Sequence, residues 1–76
     1  MKIEVLGSGC RKCTKAADEI DAVGSELNAD FSVEKVTDPA VMMNYKVLST
    51  PAVAIDGKLV HSGSIPNRDL IRTWFG

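Results

Sequence analysis

Two cysteines, Cys10 and Cys13, flank Arg11-Lys12 at the point where a short apolar run gives way to helical spacing. This junction constrains the fold more than any other stretch, because it asks for a strand before it and a helix after it. A C-x-x-C pair at the start of a helix can close a small disulfide ring, and its first sulfur lies near unpaired backbone N–H groups that favour a thiolate. The same spacing also serves as half of a metal site. A closed zinc site takes four ligands, and beyond the cysteines this chain offers one His and some carboxylates. A metal would therefore need a dimer, or a soft ion content with two thiolates.

The 76 residues, 45% of them hydrophobic, suffice for one small domain over residues 1–76 with its own core. Nine Lys and Arg against ten Asp and Glu are mixed along the chain. No basic patch points to nucleic acid, and no basic amphipathic helix or long apolar run points to membrane insertion. Met1-Lys2 leads into Ile3, Val5 and Leu6, too short for a signal segment, and two cysteines do not make a secreted disulfide framework. A cytoplasmic location is expected.

Lys2–Leu6 alternates and then turns apolar on both faces, as a strand entering a covered interior would. Gly7-Ser8-Gly9 ends it, leaving no bulky side chain beside Cys10. Cys13, Ala16, Ala17, Ile20, Val23 and Leu27 then mark one helix face, with Gly24 on or near it and Asn28 as the stop. Phe31–Val36 alternates as a second strand, and strand, helix, strand implies a right-handed parallel crossover. Asp38-Pro39 starts a short helix running to Tyr45 or Lys46, with Val41, Met42 and Tyr45 packing.

Val47–Pro51 reads as a loop and Ala52–Ile55 as a buried strand. Asp56-Gly57 is the chain's strongest hairpin signal, with Lys58–His61 returning. Asn67 caps a last helix, with Asp69 in its first turn and Leu70, Ile71, Trp74 and Phe75 as its apolar face. The predicted order is β-α-β-α-β-β-α, an α/β fold with a four-stranded mixed sheet covered by three helices.

With this order in place, the chain resembles the thioredoxin/glutaredoxin superfamily in its smallest form. The resemblance rests on Cys10-Arg11-Lys12-Cys13 after the first strand and on Ser49-Thr50-Pro51 before the third. The chain is most similar there to the short archaeal and bacterial thioredoxin-like members with Gly-x-Gly-Cys-x-x-Cys, Thr-Pro and Ile-Asp-Gly-Lys, present here as Gly7-Ser8-Gly9-Cys10, Thr50-Pro51 and Ile55-Asp56-Gly57-Lys58. Ordinary thioredoxins have a Trp before the first cysteine and Gly-Pro between the two. Glutaredoxins have Pro-Tyr there, and their glutathione-holding Gly-Gly and paired Asp are reduced here to Gly63 and Asp69.

The resemblance implies a minimal thioredoxin fold, a cis Thr50–Pro51 bond and thiol–disulfide exchange without a cofactor or metal. Cys10 would be the nucleophile and Cys13 the resolving thiol. Gly9, Arg11, Lys12, Thr50, Pro51, Ser62 and Gly63 would line the substrate groove. Helix N–H groups and the cations Arg11, Lys12 and Lys15 should favour the Cys10 thiolate, giving a potential less reducing than the about −270 mV of an ordinary thioredoxin. The expected partners are a disulfide-containing protein or small molecule and a reductase or thiol donor, with the chain itself a monomer. The alternative is a module that captures a soft metal or metalloid on the same thiolates. His61 is read as an exposed or packing residue and Met42-Met43 as helix packing.

Overall fold

The computed structural model describes residues 1–7, 11–47 and 49–75. In chain order its elements are β1 (Lys2–Leu6), α1 (Arg11–Glu26), β2 (Ser32–Val36), α2 (Pro39–Asn44), β3 (Ala52–Ile55), β4 (Lys58–Ser62) and α3 (Arg68–Phe75). The strands form one mixed sheet in the order β2-β1-β3-β4. β1 runs parallel to β2 and antiparallel to β3, and β3 is antiparallel to β4.

The alternation of β1 divides the interior in two. Ile3 and Val5 face Ala16, Ile20 and Val23 of α1 and Ile71 of α3, and all six are almost wholly buried. Leu6, with Ala52 and Ala54 of β3, faces the other way, against Val41 and Met42 of α2 and against Tyr45 and Val47 beyond it. Both faces of the central strands are thus covered, which is why Val5-Leu6 and Ala52–Ile55 are apolar without interruption.

Local chemistry sets the element ends. The Asp38 carboxylate accepts the Ala40 N–H at 2.9 Å with Pro39 at the first helical position, and the Asn67 side chain accepts the Leu70 N–H at 2.8 Å. At the end of α1, Asn28 adopts φ 56°, Ala29 N–H bonds Gly24 O at 2.9 Å and Asn28 N–H bonds Ser25 O at 3.2 Å. This Schellman pattern stops the helix, as the asparagine suggested.

Leu27 is a correction to the expected buried face. It lies in the turn after Glu26, beyond the last helical residue although its N–H still bonds Val23 O at 3.0 Å, and is 46% exposed. α2 also stops a residue or two short of expectation, at Asn44. Lys46 takes φ 57° and closes the turn through Lys46 N–H to Met43 O and Val47 N–H to Met42 O, each 3.0 Å. Lysine carries no local signal for that conformation.

The hairpin turn has φ 49° at Asp56 and φ 85° at Gly57, the two positive values a primed two-residue turn needs. Asp56 also accepts the Lys2 N–H on its carboxylate at 2.8 Å and donates its own N–H to Lys2 O at 2.9 Å, fastening the hairpin to β1. β4 carries a bulge: Val53 pairs with His61 and Ala54 with Leu59, leaving Val60 as the extra residue.

Candidate functional site

Cys13 is the third residue of α1 and is 2% exposed. The apolar face that continues through Ala16, Ala17 and Ile20 turns its side chain inward, toward the end of β1. Its Sγ lies directly over Gly7, so closely that a Cβ on Gly7 would overlap it. The same hypothetical Cβ would stand 3.7 Å from Thr50 Cβ. Gly7 therefore sits between the helix that holds Cys13 and the loop that leads into β3.

That loop is the second wall. Thr50–Pro51 is a cis peptide bond, with Pro51 buried and Thr50 exposed. Pro51 O accepts the Gly63 N–H at 3.1 Å, and Gly63 takes φ 92°, bringing the loop after β4 alongside Ser49 and Pro51. Ser62 stands next to it, paired with Ala52 at the end of the hairpin. The 49–51 loop and the end of β4 at Ser62-Gly63 are thus joined by a backbone hydrogen bond.

Arg11 and Lys12 are exposed in the first turn of α1, which contains no acidic residue. Cys10 and Gly9 lie outside the described residues. Of the anticipated site, the structure brings together Cys13 and Thr50 around Gly7, and separately Pro51, Ser62 and Gly63. Gly7 was read from sequence as the strand end and as part of a Gly7-Ser8-Gly9 turn that keeps bulk away from Cys10; nothing local signals that the Cys13 sulfur would occupy the space of its missing side chain.

On the flank of Cys13 facing β2, a pocket of about 170 Å³ opens between the start of α1 and the end of β2, with Val5, Gly7, Cys13 and Val36 among its walls. His61 is half-buried, its ring 6.3 Å from that of Trp74. Its Nε2 stands 2.9 Å from Ser64 O, a contact only an N–H can satisfy, and 3.1 Å from Ser64 Oγ. It bridges its own loop. Among the described residues no group of three or more His, Cys, Asp or Glu gathers as metal ligands would, and no helix is long and apolar enough to cross a membrane.

Comparison with known proteins decides the family. A family model described as a thioredoxin domain matches residues 1–76. The chain belongs to the thioredoxin-domain family. It is similar to a thioredoxin of Methanocaldococcus jannaschii, with 34% identity over 70 residues covering 92% of this chain and 80% of that one. It is also similar to a thioredoxin of Methanothermobacter thermautotrophicus, with 26% identity over 72 residues covering 95% of this chain and 94% of the relative. The β-α-β-α-β-β-α order and four-stranded mixed sheet constitute a minimal thioredoxin fold, and membership of the family supports a thioredoxin-like redox function.

Proposed function

We propose that the chain is a thiol–disulfide oxidoreductase with Cys10 as nucleophile and Cys13 as resolving thiol. The observation that carries this reading is the seat of Cys13, a sulfur buried at the start of a helix, over Gly7 and beside the Thr50-Pro51 loop. A thiol held in that way is positioned to react with a neighbour in its own chain rather than with solvent.

In the first step the Cys10 thiolate attacks one sulfur of a substrate disulfide, and the other substrate sulfur leaves as a thiolate. Cys13, losing its proton to the medium, then attacks Cys10 Sγ and expels the second substrate sulfur. Two electrons pass to the substrate, and Cys10–Cys13 is left as a disulfide for a reductase or thiol donor to reduce. No cofactor takes part. The cations of Arg11 and Lys12, in a first turn without acids, together with Lys15, favour the attacking thiolate and stabilise the reduced form relative to an ordinary thioredoxin.

In this reading substrate binding is assigned to Gly9, Arg11 and Lys12 together with Thr50, Pro51, Ser62 and Gly63. The substrate is a disulfide-containing protein or small molecule, met in the cytoplasm by a monomer of this one domain. A disulfide-reduction assay tests the assignment. Turnover is expected to vanish in Cys10→Ser, and Cys13→Ser should stop at a trapped mixed disulfide; undiminished turnover in Cys10→Ser would overturn it.

A further inference from the structure

We propose that Gly7 is a positioning residue for the resolving sulfur, the absence of its side chain creating the seat from which Cys13 completes the exchange. This rests on the dithiol reading above. A Cβ at Gly7 would overlap Cys13 Sγ and lie 3.4 Å from Cys13 Cβ. Backbone conformation does not call for glycine here, since the described glycines with positive φ are Gly57 and Gly63. Space for the sulfur is what remains to explain it.

The seat is rigid on the strand side. Gly7 N–H bonds Val36 O at 3.0 Å, and the preceding Leu6 is paired with both Val36 and Ala52. An added methyl group therefore cannot be relieved by moving β1, and the sulfur must give way. The flanking pocket of about 170 Å³, walled by Val5, Gly7, Cys13 and Val36, is where it can go. Disulfide closure accepts only a narrow range of sulfur positions and torsions, so a displaced Sγ is poorly placed to attack Cys10 Sγ and expel the substrate sulfur.

The first attack, by Cys10, does not use this seat. Gly7→Ala should consequently leave the first step unchanged and slow the second by about 100-fold, the scale of an ångström-sized misplacement. Rapid mixing with a symmetrical aromatic disulfide whose thiolate is coloured resolves the two. One equivalent is released when Cys10 attacks, and a second when Cys13 resolves. Wild-type chain should release both quickly, and Gly7→Ala should release the first at the wild-type rate and the second about 100-fold later. A second phase as fast as wild type overturns the proposal. Failure of the underlying dithiol reading looks different, because the wild-type chain would then show no second equivalent that disappears in Cys13→Ser.

A stability cycle on the reduced protein guards against a variant that merely folds poorly. Gly7→Ala should lower the denaturation midpoint in the wild-type background and lower it much less in Cys13→Ala, where the sulfur is gone. An equal loss in both backgrounds, or a double variant that does not fold, assigns glycine's role to something other than the sulfur and overturns the proposal.

Discussion

The Tyr45 hydroxyl donates to the Glu4 carboxylate at 2.9 Å, tying the turn after α2 to the central strand β1. This bond, then desolvation, then the negative charge of Glu4 hold the phenol above its ordinary value of 10.0. The folded chain thus keeps the phenolic proton to higher pH than the unfolded one. Stability from this group is fully present below pH 10.0 and is lost as pH rises through the raised value. Denaturation midpoints taken upward from neutral pH should fall in this alkaline window for wild type and fall less for Tyr45→Phe. Tyr45 is the sole tyrosine, so ultraviolet titration reports it alone; a midpoint at or below 10.0 would contradict the expected direction.

Gly24 is buried on α1 where a Cβ would overlap the ring of Phe31, which is itself held edge-on by Phe75 at 5.2 Å. Alanine gains up to about 1 kcal/mol in helix propensity, but overpacking costs about 1–3 kcal/mol. Gly24→Ala should therefore destabilise by about 1 kcal/mol in net, and the sign should reverse in a Phe31→Ala background. Urea denaturation of the four proteins checks both statements.

Gly57 gives a purely conformational case. A Cβ there would meet nothing within 4 Å, yet φ is +85°. Gly57→Ala should destabilise by about 1–2 kcal/mol from backbone strain alone. Asparagine, more tolerant of left-handed geometry, should lose less, as thermal denaturation of the two variants would show.

Ile71 anchors α3. It is fully buried in the same cluster as Ile20, so Ile71→Ala should destabilise by about 2–5 kcal/mol. That is a large part of the stability of a chain this small. The Arg68 to Glu19 ion pair at 2.7 Å links the same two helices but is partly exposed, so Arg68→Ala should have a much smaller effect in chemical denaturation.

Much of the fold was legible where one residue's chemistry decides a local outcome. Asp38-Pro39, Asn67, Asn28 and Asp56-Gly57 each mark a boundary by a side-chain or φ preference that survives in the folded chain. The ends of β1 and β3 were legible because burial on both faces demands an unbroken apolar run. The end of α2 was not, since Lys46 takes the left-handed φ that closes it without the glycine or asparagine that usually marks such a position. The Tyr45 to Glu4 bond spans 41 positions and the Gly63 to Pro51 bond joins two loops across a hairpin, so no local pattern announces either. The site divides in the same way. Cys10, Cys13 and Thr50-Pro51 stand out by spacing and resemblance, whereas the role of Gly7 emerges only when α1 folds back over it.

The bulge at Val60 has a bearing on how chains behave when crowded together. β4 is an outer strand of the sheet, and its Leu59 and Val60 are among the more exposed large apolar residues of the described chain. A regular outer strand of that composition would offer an unpaired ladder to a neighbouring chain. The extra residue interrupts that ladder at its most apolar point, so an incoming strand would meet a mismatched repeat of donors and acceptors. The stickiest edge of the sheet is thereby made the hardest to extend.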